Sequence, residues 1–245
     1  MATHHPKKTI DMAHYVGTTA SGMPGIFLII SKQETLGAAL DWIKGILYPP
    51  RFTGEMSARD VYADLDREAA QSPAGANNVI FTPWLFGERS PVNNPYLRGQ
   101  IFNIGMNTVR ADLLRAAMEG VAYNIRWGME YVEKLSLKAS KPSSEAVRLI
   151  GGASKSDIWC RIFADVLQKP VVQMKNPQMA SALGVAATAM VALGIYKEFT
   201  DIDRILEKGN TYTPDPGNAA VYDRLYGQYK ALYKNNRAAF NTINS

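Results

Sequence analysis

The chain is poor in several features, and each shortage excludes something. A single cysteine, Cys160, occurs in 245 residues, so there is no intramolecular disulfide framework, which suits a reducing cytoplasm. Cys160 lies in a helical pattern beside Trp159 and Ile162, where a thiol is expected to be a small buried hydrophobe. No apolar run approaches the roughly 20 residues a membrane helix needs; the longest candidate, Ala180 to Tyr196, is rich in Ala and Gly and reads as a packed helix. The opening MATHHPKKTID has no apolar core, so no secretory signal peptide is expected. Lys and Arg number 27 against 22 Asp and Glu, a net charge of +5. These charges are scattered without a long basic run, which describes a solvated surface rather than a nucleic-acid footprint. There are no internal repeats and no low-complexity linker.

What is present is a hydrophobic content of 47%, enough for one large domain or two small ones. His14 to Ala20 and Gly25 to Ser31 read as two short strands in a hairpin, with Ser21-Gly22 near the turn. Helical spacing runs over Glu34 to Leu47 and ends at Pro49-Pro50. Ser57 caps a helix through Glu68. Asn78 to Phe81 is an apolar strand, followed by a long polar, proline-rich passage, Gly87 to Gly99. Val109 to Leu135 is a long amphipathic helix whose stripe includes Leu114, Met118, Val121 and Ala122. Then come a strand (Glu145 to Ile150), a helix (Ser156 to Leu167), a strand (Pro170 to Met174) and a helix (Met179 to Leu193). A last helix, Asn218 to Phe240, places Tyr222, Leu225, Tyr229 and Leu232 on one face. Alternation of this kind is α/β, a mixed sheet flanked by helices. Val147 to Ile150 is expected as an internal strand buried on both faces, and Trp84, Phe86 and Pro91 as an exposed patch driving self-association.

One stretch, LIGGASKSDIWC, sets two glycines between a strand and a helix. Bare backbone at a helix N-terminus accepts a phosphate, or a flat base lying against the main chain; it is equally the composition of a plain tight turn. Gly17-Thr18 carries the same ambiguity on a smaller scale.

Six segments occur in order: HYVGTTASG, TLGAALDWIKGIL, FTPWLFGERSPVNNPYLRG, TVRADLLRAAMEGVAYNIRW, LIGGASKSDIWCRIFADVLQKPV and SALGVAATA. Together, from about Tyr15 to Tyr233, they resemble the C-terminal domain of the FGGY carbohydrate kinases, and within that family its xylulokinase-like members. The resemblance implies an actin-like, ribonuclease-H-like fold, with residues 1–245 as the nucleotide-binding domain of a two-domain kinase that transfers phosphate from ATP to a sugar hydroxyl. It implies ATP or ADP with Mg²⁺, a ketopentose such as D-xylulose bound together with the N-terminal domain, and a cytoplasmic enzyme, either monomeric or a homo-oligomer. By the same resemblance, Thr18 contacts the terminal phosphates, Gly37 and Asp41 lie along the nucleotide, and Leu40 lies beside the base. Gly152 offers its backbone and Ser156 contacts the adenine or ribose side. From their spacing alone, Leu36, Leu40 and Trp42 are plain helix packing.

The sequence departs from the family pattern in places. Ser156-Asp157 stands where asparagine is common, Asn103 replaces a glycine, and Met179 stands where glutamate is frequent. The family's catalytic aspartate belongs to a Gly-Asp motif of the N-terminal sugar-binding domain. Asp11 is the only carboxylate before Gly17, and its context, TIDMAHY, does not match. No catalytic residue and no metal ligand is therefore assigned to this chain, which looks like half of a kinase: an excised domain, a truncated product or one chain of a split enzyme. Glu88, Arg89 and Arg98 either face the interdomain cleft or form a structural ion-pair loop. The alternatives to a kinase half are a non-catalytic actin-like interaction or regulatory module, and another actin-like class such as a chaperone ATPase.

Overall fold

The computed structural model describes residues 1–48, 57–138 and 144–245; Pro49-Pro50 lies outside them. Four antiparallel strands open the chain, β1 (Ala2–His5), β2 (Ile10–Asp11), β3 (Val16–Ala20) and β4 (Phe27–Ile30), in the order β1-β4-β3-β2. The expected hairpin is β3–β4, registered from Gly17 opposite Ile30 to Ala20 opposite Phe27. Gly25 supplies the left-handed backbone of its turn, at φ +73°, a conformation that costs glycine nothing. Helix α1 (Gly37–Leu47) buries Ala39, Leu40 and Ile43, and α2 (Ala58–Ala69) is capped as expected, with Ser57 accepting from Asp60 N at 3.2 Å. Strands β5 (Ile80–Thr82) and β6 (Gln100–Phe102) pair antiparallel.

Helix α3 (Arg110–Lys138) is the member on which the rest is assembled. Leu114, Met118, Val121 and Ala122 are buried along it, in one cluster with residues of α1, α2, β5 and the later helices. At its far end Val132 and Leu135 pack with Val16 and Ile29 of the first sheet. Gly120 is required by sterics, because a Cβ there would sit 2.0 Å from the Phe81 carbonyl oxygen of β5. Arg115 is buried and ties α3 outward, bonding Glu119 Oε1 (2.8 Å), the Ser72 carbonyl (3.0 Å) and the Tyr222 hydroxyl (3.0 Å).

The remaining elements are β7 (Val147–Leu149), α4 (Asp157–Leu167), β8 (Val171–Met174), α5 (Ala180–Ala192), β9 (Lys208–Tyr212) and α6 (Pro216–Asn244). β7 and β8 are parallel around α4, and β9 joins β8 antiparallel, so this sheet is mixed. Two expectations are corrected. Val147 to Leu149 is an edge strand among the described residues, since β8 takes only one of its sides, and its Arg148 side chain is exposed on a sheet face. Nor is there an aromatic patch at Trp84: that indole is fully buried, Pro91 is buried with it, and only Phe86, 81% exposed, faces solvent. Trp84 turns inward because its Nε1–H has a buried acceptor in Asn124 Oδ1, at 3.2 Å. Tyr222, Leu225, Tyr229 and Leu232 all face the core from α6, and Cys160 is buried, its thiol pushed up to about 12 by desolvation and then by the Asp157 and Asp66 charges. Among the described residues no helix is long and apolar enough to cross a membrane.

Candidate functional site

β7 ends at Leu149, and Gly151 follows at φ +86° with no atom within 4 Å of where a Cβ would stand. Gly152 opens a single 3-10 turn that closes at Ser156, and nothing crowds a Cβ at Gly152 either. The turn is braced from below: Ser154 Oγ donates to the Gly151 carbonyl (2.7 Å), and Gln173 Nε2 of β8 donates to the Ser154 carbonyl (2.6 Å). Beside it a cavity of about 170 Å³ is lined by Ile150, Ala180 and Leu183 with the cations Arg148 and Lys175. Apolar walls with a few charged groups at the carboxyl ends of parallel strands are where α/β folds take ligands.

Ser156 is the N-cap of α4. Its hydroxyl accepts from Trp159 N (3.1 Å) and donates to Asp66 Oδ1 of α2 (2.9 Å). Asp66 sits one helical turn from Tyr62, whose hydroxyl donates to Asp41 Oδ1. One face of α2 therefore bonds both Asp41 of α1 and Ser156, the residue that closes the Gly-Gly turn. Leu40 is buried in the core, whereas the Asp41 side chain is 56% exposed. Partial burial works to raise the Asp41 carboxyl, but the hydrogen bonds from Tyr62 and Lys44 outweigh it, so it sits below the usual carboxylate range. Tyr62 and Asp66 carried no motif; their spacing of four, on a helix, was the available sign that they share a face.

Thr18 stands apart. Its sheet packs on Val132 and Leu135, whereas the Trp159 indole just after Ser156 donates to the Met118 carbonyl; about 20 Å of α3 separates those contacts. The Thr18 backbone N–H and its hydroxyl both donate to the Thr9 carbonyl, each at 3.1 Å, and its Oγ1 accepts from Thr9 N at 3.2 Å. A hydroxyl has one proton, so Thr18 can donate to a phosphate only by leaving Thr9. A shallow cavity of about 250 Å³ lies over this pair, lined by Lys8, Thr9, Ile10, Gly17 and Thr18.

The GERSP loop is held by polar contacts within this chain. Glu88 is buried and its carboxylate is filled by Glu34 N (3.0 Å), Arg89 N (2.9 Å) and Asn124 Nδ2 (2.8 Å). Burial pushes this carboxyl up to about 7 against the lowering pull of those donors. Arg89 pairs with Glu34 at 2.6 Å, and Arg98 donates to the Pro95 and Leu97 carbonyls. Ion pairs and backbone caps are what these three residues make in this structure.

The family model for the FGGY family of carbohydrate kinases, C-terminal domain, matches residues 1–193. The chain belongs to that family. Xylulose kinase of Bacillus subtilis (strain 168) is 28% identical over 232 residues, which cover 94% of this chain and 44% of that protein. Xylulose kinase of Haemophilus influenzae is 32% identical over 173 residues, 68% of this chain and 33% of that one. Among solved structures, xylulose kinase from Rhodospirillum rubrum superposes with a TM-score of 0.84 at 28% identity, covering 98% of this chain and 46% of its own. The expected actin-like architecture of the sugar kinases is the fold found. This FGGY chain spans less than half the length of the relatives it matches.

Proposed function

We propose that residues 1–245 are the nucleotide-binding domain of an ATP-dependent, xylulokinase-like sugar kinase, working with an N-terminal sugar-binding domain. The observation that carries this reading is the Gly151-Gly152 turn. It is uncrowded on its outer side, it lies between a parallel strand and a capped helix, and it borders a cavity lined by apolar and cationic side chains. That cavity is smaller than the roughly 300 Å³ of complete ligand pockets, which suits a site shared with a second domain. Gly152 gives backbone to the nucleotide. Gly37 and Asp41 line its path, Leu40 backs the base from the core, Ser156 fixes the turn, and Thr18 reaches the terminal phosphates by exchanging Thr9 for them.

Phosphoryl transfer asks mainly for position and charge stabilisation. This domain holds the donor nucleotide, and the other domain supplies the base that takes the proton of the attacking hydroxyl. Among the described residues no group of three His, Cys, Asp or Glu side chains is placed to hold a metal. Magnesium needs only one or two carboxylates plus phosphates, so Mg²⁺ arrives with the nucleotide. The acceptor is a ketopentose such as D-xylulose, as the names of the relatives suggest, and the compartment is the cytoplasm.

A second reading, a non-catalytic actin-like interaction or regulatory module, draws on the commitment of the Thr18 and Ser156 hydroxyls within the protein. Calorimetric titration with ADP separates the two. A kinase half binds ADP, and Gly152→Val weakens that binding about tenfold or more by filling the turn. No heat at millimolar ADP, or equal affinities for the two forms, carries the second reading instead.

A further inference from the structure

Helix α1 does not secure its own start. Its N-cap is Leu36, which has no side chain able to bond the free amides, and the first turn contains no acid. Such a start is normally loose, because four N–H groups go unpaired and nothing meets the helix dipole. The lead-in, Ser31 to Thr35, is nevertheless tied to the loop at 83–90 by three hydrogen bonds besides the Glu34–Arg89 ion pair. Ser31 Oγ meets Ser90 Oγ at 3.0 Å, Thr35 Oγ1 donates to the Pro83 carbonyl, and Glu34 N donates to Glu88 Oε1 at 3.0 Å. Ser90 is held in turn by the His14 carbonyl (3.2 Å), and Glu88 is fixed from several sides: by Arg89 N on Oε1, by Asn124 Nδ2 of α3 on Oε2, and through its own backbone by paired bonds to Asn94 (3.0 and 2.9 Å). Asn124 cannot turn over. Its Oδ1 already accepts from Trp84 Nε1 (3.2 Å) and from the Tyr229 hydroxyl of α6 (2.9 Å).

We infer that Glu88 is a positioning residue: through Asn124 it references the start of α1, and so Gly37 and Asp41, to the rigid α3–α6 core. The bearing on nucleotide rests on the function proposed above. The groups facing Glu88 are donors on every side, from the lead-in, the loop and α3, with Tyr229 one bond further in. Of the nearby charges, Glu34 is paired with Arg89, and the His14 ring is turned to Asp11 and Tyr131. Once ionised, Glu88 meets these donors with acceptors on both of its terminal atoms, as its protonated form or a glutamine does not.

The test is a swap of donor and acceptor. Glu88→Gln puts an NH₂ against the fixed NH₂ of Asn124. Adding Asn124→Asp returns an acceptor at 124 while keeping those for Trp84 and Tyr229. In the Glu88→Gln chain, hydrogen exchange of amides 34–41 should quicken about tenfold relative to the amides of α3 and α6, and the double variant should return to within about twofold of wild type. In the unaltered chain, the ¹⁵N–¹H signals of Glu34 and Arg89 should titrate together with a midpoint near 7, a signature that disappears in both variants. Unchanged exchange in Glu88→Gln, no rescue by the second substitution, or failure of the double variant to fold overturns the inference. If Glu88→Gln alone does not fold, a folded double variant with wild-type exchange supports it. ADP affinity is read in parallel: weakening of about tenfold in Glu88→Gln with recovery in the double variant supports the link to nucleotide. An unaltered chain that binds no ADP while the exchange pattern holds overturns the nucleotide reading and leaves the positioning role standing.

Discussion

The loop at 83–90 and helix α5 make an instructive pair. The loop has little regular structure, yet Pro83, Trp84, Glu88 and Ser90 at its ends and middle are buried and bonded to α3, to the lead-in of α1 and to the His14 carbonyl. Helix α5 is a regular helix rich in alanine and other apolar side chains, yet only Ala187 is buried and Val185 stands 72% exposed. Regular hydrogen bonding within a helix is local and places nothing else. A satisfied buried carboxylate reaches across the chain and places several segments at once. In these two segments burial follows the long-range polar anchors more closely than it follows secondary structure.

The largest test of that contrast is Asn124→Leu, which takes from Glu88 the donor on its Oε2 and leaves Trp84 and Tyr229 without their acceptor. A loss of about 3–5 kcal/mol is expected in urea unfolding; a loss under 1 kcal/mol would mean that the loop is not anchored there. Next is pH. Burial raises Glu88 from an ordinary 4.5 to about 7, so the folded chain keeps its proton longer than the unfolded one. The stabilisation this brings is complete below about pH 4.5 and is lost as the pH climbs through 7, a difference of roughly 3 kcal/mol. Wild type should therefore lose stability between pH 5 and 8 relative to Glu88→Gln, and parallel curves would show that the carboxyl titrates normally. Smaller again is Val185→Ser on α5, expected within about 0.5 kcal/mol, with α5 amides exchanging well before those of α3. Smallest is Phe86→Ser: one exposed ring surrounded by buried neighbours should change stability by less than about 0.5 kcal/mol, and sedimentation at rising concentration shows whether that ring alone supports self-association.

Much of the fold was legible because helices advertise themselves. The stripe from Leu114 to Ala122 and the tyrosine face of α6 are long enough for a 3.6-residue period to stand out. The strands that escaped, β1, β2, β6 and β9, are two to five residues long, and Thr3-His4-His5 or Lys208-Gly209-Asn210 shows no apolar alternation; partners elsewhere in the chain make them strands. Val147 to Leu149 misled for the reverse reason, since apolar content records affinity for a core and not the number of neighbouring strands. At the candidate site, the Gly151-Gly152 turn could be read directly as a strand-to-helix junction. The use made of the Ser156 and Thr18 hydroxyls could not, because Asp66 lies 90 residues upstream of Ser156, and Thr9 belongs to the segment beside a strand too short to detect.

The reach of α3 also sets a timetable. Val16 and Ile29 close their cluster on Val132 and Leu135, side chains made about 100 residues later. At 5–20 residues per second of synthesis, the first hairpin waits about 5–20 s for the surface it packs on. Through that interval its strand edges and apolar side chains are open to other partners. A chain that is slow to translate between Ser31 and Val132 lengthens the wait, so its yield of folded protein should fall when rare codons are placed in that stretch.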